Sequence, residues 1–386
     1  MISAVMNLIR RGHPSRTLIM VCSFAAITAC SPPPPSAKLL KETGELSFIS
    51  NYQDFSVSSQ QLADASADFC QTPDQAAKFD TLRTKWKQAT IDWAAIQNIQ
   101  FGPLMVDNQA WKIQFWPDKK NLIARKVETL LKDGKPITLQ RVDEASVVVQ
   151  GLSSLEYQLF DSKAGSQQRY TGEAGVRRCE LLTAVSTHLQ NVAEGLYNSW
   201  RKDGGNYLAT FSETGENNPE FSDDNLAIGY LLDTLVSGIE LIKRDKLERP
   251  LAISSSANNE AQGSAPQTQV YQLEWWRSQY SKEAIIANLS ALEDIFNANT
   301  GYGLDDYLRK DKQQTALSDK INEGFKRCIV AASAIDGSLF DIANKPEHRQ
   351  AILNFHRELG QLLALLRNDL PTALGVSLGF NSKDGD

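Results

Sequence analysis

Glu156 is the acid whose surroundings most clearly call for a partner. It stands in Gly151-Leu-Ser-Ser-Leu-Glu156-Tyr-Gln-Leu-Phe160, where Leu152, Leu155 and Leu159 fall at i, i+3 and i+7 on one helix face. A carboxylate beside that apolar stripe needs a cation or a set of donors. Ser153, three residues earlier, adds a hydroxyl on the same face. Such oxygen donors suit hard cations, Ca²⁺ or Fe³⁺ among them, without any histidine. Two more carboxylates, Asp384 and Asp386, flank Gly385 at the C-terminus. In Trp276-Arg277-Ser278 the guanidinium of Arg277 is able to hold Glu156, the tail acids or an anionic ligand bidentately. Pairing with Glu156 would make the motif a structural ion pair.

Hydrolytic chemistry finds little to work with. A zinc peptidase needs two histidines one helical turn apart and a glutamate base, and no His-Glu-x-x-His occurs. His13 lies in the leader, while His188, His348 and His356 are isolated within helical stretches and read as solvated or partly packed residues. A Gly-x-Ser-x-Gly elbow is absent as well.

The same residues carry a resemblance. Gly151, Ser153 and Glu156 occupy the three fixed positions of the Gly-x-His-x-x-Glu motif of imelysin-like bacterial envelope proteins, with Ser153 in place of the histidine. Trp276-Arg-Ser278-Gln-Tyr-Ser281 followed by Ile285 and Asn288-Leu289, the ending Gly379-Phe-Asn-Ser-Lys-Asp384-Gly-Asp386, Phe101-Gly-Pro103 and Trp116-Pro-Asp118 extend the likeness over most of the chain. What the resemblance implies is a role in iron acquisition. Gly151, Ser153, Glu156, Arg277, Ser278 and Trp116 would then bind the ligand, and Glu156, Asp384 and Asp386 would hold iron or another divalent or trivalent cation. The family was named for a peptidase, but the missing histidine makes peptidase activity a weaker expectation than binding.

The N-terminus predicts an address. Arg10, Arg11 and Arg16 without acids precede an apolar run from Thr17 to Ala29, too short to span a bilayer. The run ends Ile27-Thr28-Ala29-Cys30, which looks like a lipobox with Cys30 as the acylated first mature residue. Residues 1–29 are then a lipoprotein signal, and residues 30–37 a lipid anchor and proline-rich spacer. Ser31 after the cysteine points to the outer membrane of a Gram-negative cell, facing the periplasm. Formal charge is −6; the leader carries three arginines and no acid, so the remainder is −9. That balance disfavours nucleic acid as a partner and is compatible with cations. Three cysteines remain, allowing one disulfide and one buried thiol. Three pairings are open, and Cys70 with Cys179 is preferred because both fall in the first half.

The elements that must position these groups are all helices; no convincing period of two appears. Thr72-Pro73-Asp74-Gln75 reads as a capped start for a helix carrying Phe79, Leu82, Trp86, Ala89, Trp93 and Ile96 on one face, with a shorter antiparallel helix from Phe55 to Cys70 before it. Between Gln100 and Asp118, Phe101, Trp111, Phe115 and Trp116 crowd a loop that is either functional, offered to an envelope protein partner, or a packed cover. Helices are expected from Asn121 to Lys132, from Thr138 through the Glu156 motif, and from Glu173 to Trp200. The second half predicts a helix capped by Ser222-Asp-Asp-Asn and closed by Pro250, then Trp275 to Phe296 with Ser281 as a capping residue, Asp305 to about Phe340, unbroken or with a break near Ser318, and Pro346 to Leu370. Arg177-Arg-Cys179 and Lys326-Arg-Cys328 echo one another, as an internal duplication or mere bundle composition would produce. The expected fold is all-α, two helical bundles at 38–211 and 212–386, with the polar site in the crevice between them.

Overall fold

The structure is a computed structural model that describes residues 33–253 and 267–377. Pro35 opens the first helix, α1 (Pro35–Thr43), at the position where a missing N–H costs nothing. The spacer expected over residues 30–37 is therefore helical from Pro35 onward. A π-helical turn, Gly44–Ile49, carries α1 into α2 (Ser50–Gln71), so the helical run begins at Pro35 and not at the expected Phe55. Buried Leu39, Leu40, Phe48, Tyr52 and Phe55 explain the extension, since they continue one apolar face.

Thr72 ends α2 and caps nothing; its N–H bonds back to Phe69 O, and α3 (Ala76–Ile96) starts from Gln75 without a side-chain cap. After α3 the chain makes a 3₁₀ turn, Gly102–Asn108, and then α4 (Gln109–Ile113), α5 (Leu122–Lys132), α6 (Leu139–Asp143), α7 (Gly151–Phe160) and α8 (Gly172–Trp200). Helices α2, α3 and α8 pack side by side, and the disulfide Cys70–Cys179 ties the end of α2 to the start of α8. Cys328 is free and buried.

A short α9 (Tyr207–Ser212) leads to α10 (Asp224–Glu240), capped by Asp223, which accepts from Leu226 N–H. This helix runs through a π-helical stretch, Leu241–Glu248, into α11 (Arg249–Leu251). Residues 275–280 turn instead of continuing a helix, and α12 begins at Ser281 (Ser281–Asn297). Ser281 does not cap α12; its hydroxyl is spent on Glu274 O. The helix expected from Asp305 to Phe340 is three, α13 (Leu304–Lys310), α14 (Thr315–Ser333) and α15 (Leu339–Ile342), and α16 (Pro346–Ala364) continues through a π-helical turn to α17 (Leu370–Leu374).

Every element among the described residues is helix or turn, as periodicity predicted. From Pro34 onward the chain is one unit. Helix packing crosses the boundary expected at 211–212: α3 lies on α12, and α1 on α10. Trp86 of α3 is fully buried, donates to Leu152 O of α7 at 3.0 Å and meets Trp275 edge-on at 5.3 Å, so one indole locks α3, α7 and the 275–280 turn together.

Candidate functional site

The motif helix α7 is placed by its first residue. Gly151 has φ +64°, and a Cβ there would lie 2.1 Å from Ile113 O and 2.4 Å from Lys112 O, so only glycine lets the end of α4 press against the start of α7. Ser153 completes the junction, its Oγ accepting from Phe115 N–H at 3.1 Å. With both residues committed to holding the 113–115 strand of chain, they shape the site more than they face it.

Glu156 is buried, 3% exposed, and its donors come from the neighbouring turn: Ser278 N–H at 3.0 Å and Ser278 Oγ at 2.8 Å, both to Oε1. Burial raises its pKa, opposed by the nearby Arg277 charge and by the hydrogen bonds from Ser278 and the Arg277 backbone. The Arg277 guanidinium itself goes elsewhere. Nε pairs with Asp161 at 3.3 Å, Nη2 donates to Asn121 Oδ1 at 2.7 Å, and Asp118 lies at 4.0 Å. Trp276 and Tyr157 sit within cation–π range at 4.3 and 5.5 Å. The direct Arg277–Glu156 pair considered from sequence is therefore not formed; Ser278, one residue on, supplies the contact. Asp118 has a second duty, capping α5 through Leu122 and Ile123 N–H. Trp116 donates to Gln272 O at 3.0 Å, closing the same wall.

Glu156, Arg277, Ser278 and Trp116 thus meet where α7 and the 116–121 turn face residues 272–278. Beside them opens a cleft of about 1100 Å³ lined by Asp118, Lys119, Lys120, Asn121, Tyr271 and Arg277. No three His, Cys, Asp or Glu side chains among the described residues gather closely enough to hold a metal ion. Asp384 and Asp386, expected as metal ligands, and Cys30, expected to carry lipid, lie outside the described residues.

Sequence reasoning missed a larger polar cluster. Lys246, 1% exposed, and Glu274, 2% exposed, form an ion pair at 2.6 Å. Lys246 also donates to Gln97 Oε1 at 2.8 Å and Asn288 Oδ1 at 2.6 Å, and Glu274 Oε1 accepts from Gln97 at 3.0 Å and Gln114 at 2.8 Å. Burial lowers the pKa of Lys246 and Glu274 opposes that shift. The signal was available: Ile239, Ile242 and Lys246 follow at three and four residues, which puts Lys246 on the apolar face of its helix. His188 is likewise deeper than expected, 2% exposed and 3.4 Å from Asp143, with its pKa lowered by burial.

The raised pKa of Glu156 predicts a pH signature. Because burial favours the neutral form, the wild-type chain loses stability as pH rises from the ordinary glutamate value of 4.5 through the higher folded-state value. Glu156→Gln keeps an acceptor for Ser278 without the charge. Its stability relative to wild type should climb across that window and then level off, as urea unfolding from about pH 4 to about pH 8 would record. A difference that does not change with pH rules out this account.

The fold has known relatives. An imelysin-like protein from Psychrobacter arcticum 273-4 superposes with a TM-score of 0.72 at 19% identity, over 90% of this chain and 97% of that one. A candidate iron-regulated protein A precursor from Parabacteroides distasonis ATCC 8503 gives 0.71 at 15% identity, over the same shares. No curated protein sequence matches. The family model described as Imelysin, Peptidase M75, matches residues 48–366, most of the chain including the Glu156 motif and the Trp276-Arg277-Ser278 turn, and the chain therefore belongs to the imelysin family.

Proposed function

We propose that this chain is a periplasm-facing lipoprotein, held to the outer membrane through acylated Cys30, that binds an iron-bearing ligand at the Glu156 junction in the service of iron uptake. The observation that carries the reading is a buried carboxylate fixed by Ser278, the residue next to Arg277, which with Lys119 and Lys120 lines an open cleft. A bare ion would need more donors than Glu156 supplies, with Asp384 and Asp386 the candidates to complete its shell. The residues around the cleft fit better a ferric chelate that brings its own oxygens, because Lys119, Lys120 and Arg277 complement an anionic complex. The iron-regulated relative from Parabacteroides supports the link to iron.

Calorimetric titration of the mature protein with ferric citrate, Fe²⁺, Zn²⁺ and Ca²⁺ tests the proposal. Saturable binding of ferric citrate, weakened at least about tenfold by Glu156→Ala, is the expected result, a loss of about 1.4 kcal/mol or more. Binding unaffected by Glu156→Ala, or none at all, would remove the junction from consideration. Chelator-sensitive cleavage of an extended peptide would favour a hydrolase instead.

A further inference from the structure

A second cavity, of about 510 Å³, lies between α3, α4, the 114–119 segment and residues 241–249. Its walls include three indoles, Trp93, Trp111 and Trp116, with Leu104 and Met105 beside them. Volume and lining are those of a small-molecule site. The polar groups at its base are already engaged: Gln114 Oε1 accepts from Trp93 Nε1 at 2.7 Å and from Gln97 Nε2 at 2.7 Å, and the Gln114 amide donates to Glu274. A ligand entering here meets ring faces more than free hydrogen-bond donors.

At the mouth, two large apolar side chains stand in solvent, Met105 at 55% and Trp111 at 46% exposure. Met105 stands on the 3₁₀ turn and Trp111 on α4, on either side of consecutive left-handed residues, Asp107 at φ +50° and Asn108 at φ +57°. Asp and Asn take up this conformation more readily than other side chains, so the turn is defined while apolar groups beside it face water. Lys119 and Arg249, both exposed, place positive charge at the rim, with Asp245 paired to Arg249.

We propose that this cavity binds a flat aromatic anion, its ring stacked among Trp111, Trp116 and Trp93 and its negative group turned to Lys119 and Arg249. The cavity adjoins the cleft beside Arg277, with Lys119 and Gln272 lining both and Trp116 standing at the Glu156 junction, but Trp93, Trp111 and Met105 line this cavity and not that cleft.

The probe is 8-anilinonaphthalene-1-sulfonate, titrated into the mature protein by fluorescence. One saturable site is expected, weakened at least about tenfold by Trp111→Ala, several-fold by Lys119→Gln, and unchanged by Glu156→Ala. N-phenyl-1-naphthylamine, which has the rings without the sulfonate, should bind the wild type more weakly and be insensitive to Lys119→Gln. Trp111 is half exposed, so its replacement should leave the unfolding midpoint in place; Met105→Ala serves as a second variant with the same expected direction. Non-saturable binding, binding indifferent to Trp111→Ala, or binding lost only in Glu156→Ala would overturn the assignment. Equal affinity for the neutral probe would overturn its anionic part.

Discussion

Lys246→Ala is expected to lower the unfolding free energy by about 3–5 kcal/mol, because it strands Glu274 without its cation in the interior. The loss would not measure the worth of the pair. Gln97 and Asn288 would each lose a charged donor, and the Glu274 carboxylate, 2% exposed, would keep only amide donors from Gln97 and Gln114. Replacing both members, Lys246→Met with Glu274→Gln, should recover much of the loss, since Gln still accepts from Gln97 and Gln114 and no charge is left buried. Urea unfolding of wild type, Lys246→Met, Glu274→Gln and the two combined closes a double-mutant cycle, and a coupling of about 2 kcal/mol or more is the expected reading. Additive single and double losses would mean that the two groups act separately and that this account of the cluster is wrong.

Removing the Cys70–Cys179 disulfide should cost nearly as much. The bond closes a loop with a sequence separation of 109, for which the loss of unfolded-chain entropy corresponds to roughly 4–5 kcal/mol. Measured losses for native disulfides run from about 2 to 5 kcal/mol, and the lower end applies where the unfolded chain keeps structure. The comparison is wild type against Cys70→Ala/Cys179→Ala under non-reducing conditions, with Cys328 left in place because it is buried and unpaired. Because Lys246 and Glu274 lie outside the closed loop, the two effects should add in a combined variant. A disulfide loss below about 1 kcal/mol would show that α2 and α8 are held by packing alone.

Much of the fold was legible because long helices with one apolar face announce themselves. The stripe Phe79, Leu82, Trp86, Ala89, Trp93, Ile96 predicts α3, and every member is buried. What misled was local chemistry overruled by distant contacts. Thr72-Pro73 resembles a helix start, yet α2 runs through to Gln71 and leaves those residues as the turn between helices. Ser281 resembles a cap, but its hydroxyl serves Glu274 O, seven residues back in the turn that leads into α12. The aromatic loop divides between the two readings: Phe101 is buried in a cluster with Phe48, Phe211 and Trp200, whereas Trp111 stands half in solvent. At the site, sequence brought the right segments together and left open which group of the turn would meet Glu156. Glu156 does meet the Trp276-Arg277-Ser278 turn, but through Ser278, because Asp161 and Asn121 claim the guanidinium. No spacing rule ranks two adjacent donors against acceptors from two other segments of the chain.

The link between α2 and α8 also bears on how the chain is made. A polypeptide emerges from its N-terminus, so Cys70 and Cys179 both appear ahead of Cys328. By then α2, α3 and α8 have all appeared and can pair as a unit. In the folded chain Cys328 is buried within α14, so once the 70–179 bond has closed and that helix has packed, the remaining thiol has no access to exchange with it.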